Sequence, residues 1–131
     1  MNHVFRLVYG DDLLLKIDEY VKTNNIKAGV ILCAVGCVNE ISIRLANGKT
    51  NLHKKKSYEI ISLIGSVSIN GSHLHIALAD EDGLVIGGHL NGGCLINTTC
   101  EICLLELEDY EFNRTYDIQT GYQELLINKT K

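Results

Sequence analysis

Gly71-Ser72-His73-Leu74-His75-Ile76-Ala77-Leu78-Ala79-Asp80-Glu81-Asp82-Gly83-Leu84-Val85-Ile86-Gly87-Gly88-His89-Leu90 reads as a β-hairpin, and its register decides what the chain offers. Side chains alternate faces along a strand, so His73 and His75 point the same way, roughly 7 Å apart, while Leu74, Ile76 and Leu78 point the other way. Asp80-Glu81-Asp82-Gly83 is a turn signal. A three-residue loop ending in glycine is a favoured hairpin connection because its last residue adopts φ > 0. With Glu81, Asp82 and Gly83 as that loop, Asp80 faces Leu84, Leu78 faces Ile86 and His75 faces His89. Leu74 then meets Leu90 on the buried side. A two-residue loop would change the parity and set His89 beside Leu74 or Ile76. The register that uses Gly83 is the one that assembles three histidines.

Three imidazoles on one face make a divalent-metal site with a position left open, the donor set of catalytic rather than structural zinc. The expected ligands are His73, His75 and His89; neutral imidazole suits zinc, iron, nickel and copper, and the expected ion is Zn²⁺ or a similar one. Ala77 and Gly87 leave that face without bulky groups. Gly87-Gly88 and Gly92-Gly93 allow a backbone or a ligand to come close. The alternative is polar histidines on a solvated sheet face or in a subunit contact.

Outward from the hairpin, strands dominate. Val4 to Val8 is a first strand. Asp11 or Asp12 caps a helix whose stripe is Leu13, Leu14, Ile17, Tyr20 and Val21, ending near Thr23-Asn24-Asn25. Ala28 to Val38 reads as a buried strand with Gly36 at a bend or close approach. Glu40 to Leu45 alternates before a turn at Asn47-Gly48. Tyr58 to Ile64 and Val67 to Ile69 precede a second turn at Asn70-Gly71. Cys94 to Leu107 is long enough for one extended or bent strand, and Phe112 to Asp117 and Tyr122 to Ile127 flank Thr120-Gly121. No linker, repeat or low-complexity tract interrupts the 131 residues, so the expectation is a single α+β domain over 1–131.

Composition narrows the function classes. Apolar residues make up 46% of the chain but aromatics only 6%, which predicts an aliphatic core. Net charge is −4, which favours no polyanion. The start, Met1-Asn2-His3-Val4-Phe5-Arg6, lacks the apolar run of a signal peptide, and no segment reaches the roughly 20 apolar residues of a membrane span. The five cysteines then read as reduced thiols, mostly small buried ones, and the expected location is cytoplasmic. No nucleophile elbow or phosphate-cradling loop is present. Two charged residues stand in apolar strands: Arg44, a candidate substrate contact for an anionic group, and Glu101, a candidate general base. An ion pair within or between subunits is the competing role for each.

A resemblance covers nearly the whole chain, roughly residues 3 to 126. Gly71-Ser72-His73-Leu74-His75, Ile76 to Asp80, Gly87-Gly88-His89-Leu90, Gly93-Cys94, Thr99 and Glu101-Ile102 resemble the signature of the plants-and-prokaryotes-conserved (PPC) domain family. Phe5-Arg6-Leu7, Gly10 to Leu13, Ala28-Gly29, Val35-Gly36, Ile43-Arg44 and Glu59 to Gly65 follow its order. The resemblance implies a sheet-rich α+β fold that assembles as a homotrimer, with a metal on the histidine cluster in some prokaryotic relatives. The plant relatives contact DNA through an arginine-rich hook ending in proline, outside the domain. This chain has no proline, hence no such hook. Its one basic run, Lys54-Lys55-Lys56 beside His53, reads as a solvated loop. A trimer would carry −12, three times −4, so nucleic acid is not an expected partner of this chain alone. Two functions follow: a homotrimer whose metal site binds or transforms a small molecule, or a trimeric DNA-associated or transcription-related scaffold that recruits protein partners.

Overall fold

A computed structural model describes all of residues 1–131. Its elements are β1 (Asn2–Val8), α1 (Leu13–Thr23), β2 (Gly29–Arg44), β3 (Asn51–Lys54), β4 (Tyr58–Val67), β5 (His73–Ala79), β6 (Val85–Leu90), β7 (Leu95–Glu106), β8 (Tyr110–Tyr116) and β9 (Gln123–Lys129). The result is a sheet-rich fold with one helix, as the alternating patterns predict. That helix is far too short to cross a membrane, and no helix is long and apolar enough to do so.

Helix α1 starts at Asp12, whose Oδ1 accepts from Leu15 N at 3.2 Å. Its Oδ2 accepts from Gly93 N at 2.7 Å, fixing the helix start to the loop between β6 and β7. Leu13, Ile17 and Val21, spaced by four residues, are fully buried, while Leu14 and Tyr20 lie at the core margin. Burying each such aliphatic side chain stabilises the fold by roughly 1.5–3 kcal/mol before ordering costs. Lower on the helix, Ser72 Oγ donates to Asp18 Oδ1 at 2.6 Å, tying α1 to the residue just before His73.

The main sheet runs β1-β7-β2-β4-β5-β6 with every pairing antiparallel, and β6 returns to the far end of β2 through Ile43↔Leu90 and Arg44↔His89. Strands β2, β4, β5 and β6 therefore close a ring, which removes the open edges those strands would otherwise present. Instead of the two strands expected over 28–45, β2 is one continuous 16-residue strand. Register shifts against β7 at Ile31/Cys33, Gly36/Cys37 and Val38/Glu40 bend it, so that one strand serves β4 and β7 first and then β3 and β6. It is buried on one face only: Ile31, Ala34, Val38, Ile41 and Ile43 point inward, while Leu32 and Val35 are 57% and 60% exposed. Gly36 is a close approach, since a Cβ there would lie 2.1 Å from Thr99 O.

The pair of strands expected over 58–69 is likewise one, β4, carried past Ile64 by Gly65 at φ 139°. Ile69 lies beyond it and donates its N–H to Ile26 O at 2.9 Å. The bend in β7 is at Thr98, held at φ 70°. Asn47-Gly48 does turn the chain, but within a longer loop: Gly48 N donates to Leu45 O and the Asn47 side chain accepts from Lys49 N and Thr50 N. The core that results is aliphatic, with Tyr58 its one aromatic.

None of the five cysteines is in a disulfide. Cys94 and Cys100 are buried, and burial pushes their thiols up to about 11 and about 12. The expectation of small buried thiols fails for Cys33, which is exposed on the outward face opposite Cys103.

Strands β8 and β9 form a separate two-stranded sheet around Gly121, which sits at φ 78°. Phe112 anchors it: its N–H donates to Lys27 O at 2.9 Å, and its carbonyl accepts from Asn70 Nδ2 at 2.9 Å. That attachment beside the Asn70-Gly71 turn brings the hairpin to the start of β5.

Candidate metal centre

The β5–β6 connection is the three-residue loop that Gly83 calls for. Asp80 N donates to Leu84 O at 2.9 Å, Gly83 N donates to Asp80 O at 3.0 Å, and Gly83 is at φ 80°. Asp80 Oδ1 also accepts from Asp82 N and Leu84 N, and Lys56 Nζ reaches Oδ2 at 3.2 Å. Those backbone donors, Leu84 first, hold the Asp80 carboxyl below its ordinary value. The register follows: Ala79↔Val85, Leu78↔Ile86, Ala77↔Gly87 and His75↔His89. Leu74 and Leu90 are both buried, but Leu90 is registered against Ile43 of β2 instead of Leu74.

The glycine pair lets backbone come close, one of the two uses expected of it. A Cβ at Gly87 would lie 2.6 Å from Ile76 O, and one at Gly88 would lie 2.5 Å from Arg44 O. Backbone therefore fills both positions, and the absence of side chains there lets β6 wedge between β5 and β2. That wedge carries His89 to the ring closure, with His75 on one side and Arg44 on the other.

His73, His75 and His89 converge. Their ring centroids are 5.2, 5.4 and 5.8 Å apart in pairs, and one nitrogen from each lies within 4.8 Å of the others. Tetrahedral zinc with bonds of roughly 2.0–2.1 Å holds its ligands closer than that. His73 and His75 are exposed, and His89 is half-buried. His89 Nδ1 is buried with no hydrogen-bond partner, and an ion is the kind of partner a bare ring nitrogen accepts. Burial, with His75 and Arg114 next, holds the His73 imidazole below the ordinary histidine range. Burial and then Arg44 do the same to His89. Both shifts favour the neutral imidazole that a metal needs. The three residues thus fit a divalent ion.

Arg44 stands beside them. It is opposite His89 in the register, its Nε is buried without a partner, and its guanidinium lies 5.9 Å from the Tyr122 ring centroid. It is in no ion pair within the chain. Two clefts meet at Arg44 and His89. One of about 410 Å³ is lined by Leu45, Ala46, Gly48, His75, Gly87 and Gly88 as well. The other, about 430 Å³, adds Ser72 and His73 and is walled by Arg114, Tyr122, Gln123 and Glu124.

Glu101 is not brought to this place. It is exposed on β7, registered between Arg6 of β1 and Val35 of β2, and it lines neither cleft. The reading of Glu101 as a costly charge in an apolar strand took the strand to be buried on both faces, and this one is not. The carboxylate at the histidines is Glu124 of β9, close enough to His73 to oppose the lowering of its pKa. Sequence reasoning missed the whole wall from 114 to 124. The strands around Gly121 were legible, but nothing in their pattern says over which part of the sheet the hairpin folds.

Comparison with known proteins places these features in a family. The model of the Plants and Prokaryotes Conserved (PCC) domain matches residues 1–108, ending before β8, short of the resemblance drawn to 126. A bifunctional protein GlmU from a Synechococcus species is 41% identical over 124 residues, covering 95% of this chain and 20% of that protein. The chain thus spans about a fifth of that relative's length. An AT-hook motif nuclear-localized protein of Arabidopsis thaliana is 29% identical over 109 residues, 76% of this chain and 28% of its own. Among solved structures, a Salmonella enterica protein superposes with a TM-score of 0.95 at 30% identity, covering 98% of this chain and 94% of its own. A protein from Archaeoglobus fulgidus, described as metal-containing, does so at 0.79 and 33% identity, covering 96% and 93%.

Proposed function

The chain belongs to the Plants and Prokaryotes Conserved domain family, and on that basis we propose that it is a homotrimer whose three-histidine site holds a divalent metal and binds or transforms a small molecule. The observation that carries the metal is the convergence of His73, His75 and His89, with nitrogens within 4.8 Å of one another. Zinc is the ion of choice because three neutral imidazoles with an open fourth position are its catalytic donor set. Bound there, it would supply Lewis-acid polarisation of a water or a substrate oxygen. Of the chain's own residues, Arg44 receives an anionic group. The metal-containing description of the Archaeoglobus fulgidus protein supports the reading.

The trimer is supported by the outward sheet face. Val4, Leu32, Val35, Ile61 and Ile64 are each more than half exposed across β1, β2 and β4, and Ile64 is registered directly against His75. Exposed apolar side chains gathered on one sheet face mark an interaction surface. Sedimentation equilibrium should give three times the 14.5 kDa chain.

Elemental analysis by plasma mass spectrometry on untagged, chelator-free protein tests the site. About one divalent ion per chain, lost in His75→Ala, is expected. No metal in either sample, even after incubation with zinc, would remove the reading.

The likeness to the AT-hook protein favours a second reading, a trimeric, transcription-related scaffold that recruits protein partners through the same family of surfaces. DNA binding by this chain alone is not part of it. At low salt, a gel-shift with micromolar trimer should show no retardation, because −4 per chain opposes phosphate contact. A pull-down recovering the same partner with wild type and His75→Ala protein would favour the scaffold over the metal site.

A further inference from the structure

The β8–β9 hairpin lies outside the residues that the family model matches, yet it forms one wall of the cleft at the histidines. We propose that this hairpin is the ligand-selecting element of the site: Arg114 of β8 and Arg44 of β2 clamp the oxyanion group, carboxylate or phosphate, of a small ligand whose other end reaches the histidine-bound ion. The inference rests on the metal reading for that last contact only.

Four observations carry it. Both guanidiniums line the same cleft, and neither is in an ion pair with a residue of the chain. Arg44 has a buried Nε with nothing to donate to, so an anion would satisfy a donor that the fold leaves bare. The cleft holds one carboxylate, Glu124, against the two guanidiniums, a balance that is positive even before a divalent ion adds to it. Its volume of about 430 Å³ suits a small metabolite. A planar guanidinium meets a carboxylate or phosphate by two parallel hydrogen bonds, which fixes orientation as well as charge. Tyr122 steadies Arg44 from below through its ring, 5.9 Å away, and Gln123 and Ser72 offer neutral hydrogen bonds to the rest of the ligand.

The test is calorimetric titration of the zinc-loaded full chain with inorganic phosphate and, separately, malonate. At least one probe should bind, and the tighter of the two names the oxyanion. Arg114→Gln and Arg44→Gln should each weaken binding by about tenfold or more, the loss of a charge-assisted hydrogen bond, with zinc content unchanged. Arg114 lies on the separate two-stranded sheet, so its variant leaves the main sheet intact if Arg44→Gln perturbs it. Failure of both probes at millimolar concentration, or Arg114→Gln binding as tightly as wild type, overturns the inference while the metal reading stands. Arginine-dependent anion binding by a chain that takes up no zinc supports the clamp and overturns the metal reading instead.

Discussion

His75 and His89 face each other directly across β5 and β6, on the last rung of that ladder before β6 turns to β2. The pair is fixed from both ends. Gly83 sets the loop length that gives the register, and Gly88 sets how closely β6 approaches Arg44.

Gly88→Ala should therefore damage the metal site without touching a histidine. Its Cβ would meet Arg44 O at 2.5 Å, a backbone atom that cannot swing away. The expected cost is on the order of 1–3 kcal/mol in urea denaturation, as for other overpacked positions. Zinc affinity should fall with it because His89 moves. An unchanged zinc affinity in a destabilised variant would show that the rung is not what positions the ligand.

Glu101 and Glu124 make opposite predictions. Glu101→Gln should leave zinc content and any metal-dependent turnover as in wild type, since Glu101 lies outside both clefts. Glu124→Gln should strengthen phosphate binding, because it removes the one carboxylate from the cleft that holds two guanidiniums. Loss of turnover in Glu101→Gln would restore it as a base, acting from a neighbouring subunit.

Asp12 serves two partners at once, Leu15 N and Gly93 N. Asp12→Ala should cost about 1–2 kcal/mol, at the upper end for a helix cap, because the Gly93 N–H is left unpaired as well. The midpoint of chemical denaturation measures it. A change of only a few tenths would mean that water replaces both bonds.

The buried thiols give an alkaline limit. Cys94 and Cys100 bind their protons more tightly folded than unfolded, with values pushed from 9.0 up to about 11 and about 12. In that window the folded chain holds more protons than the unfolded one, so stability falls as pH rises above about 9 and levels off beyond the folded values. Cys100→Ala should flatten the slope between pH 9 and 12 measured by thermal unfolding. At neutral pH, iodoacetamide should leave Cys94 and Cys100 protected in the native protein and reach them only on unfolding. Equal labelling of all five would contradict the burial.

Much of this was legible from residue order alone, wherever the deciding interaction is local. The alternation of Leu74, Ile76 and Leu78 against His73 and His75 fixes faces by strand parity, and Gly83 fixes the register by the backbone angle it supplies. The helix was readable for the same reason, from the Asp12 cap and the buried spacing of Leu13, Ile17 and Val21. Where strands joined was not. The breaks expected at Asn39 and after Ile64 are not there: β2 and β4 continue past them, and Gly36, expected at a bend or close approach, meets Thr99 as Gly65 meets His73. Which face of β7 is outward, and hence that Glu101 is exposed, depends on neighbours 66 residues away at Val35 and 95 away at Arg6. The position of Arg114, Tyr122 and Glu124 over the histidines depends on where the last hairpin docks, through Phe112 on Lys27 and Asn70. Local chemistry chose the histidines and their spacing; long-range packing chose what surrounds them, because contacts between distant segments are set by shape and burial rather than by the order of residues.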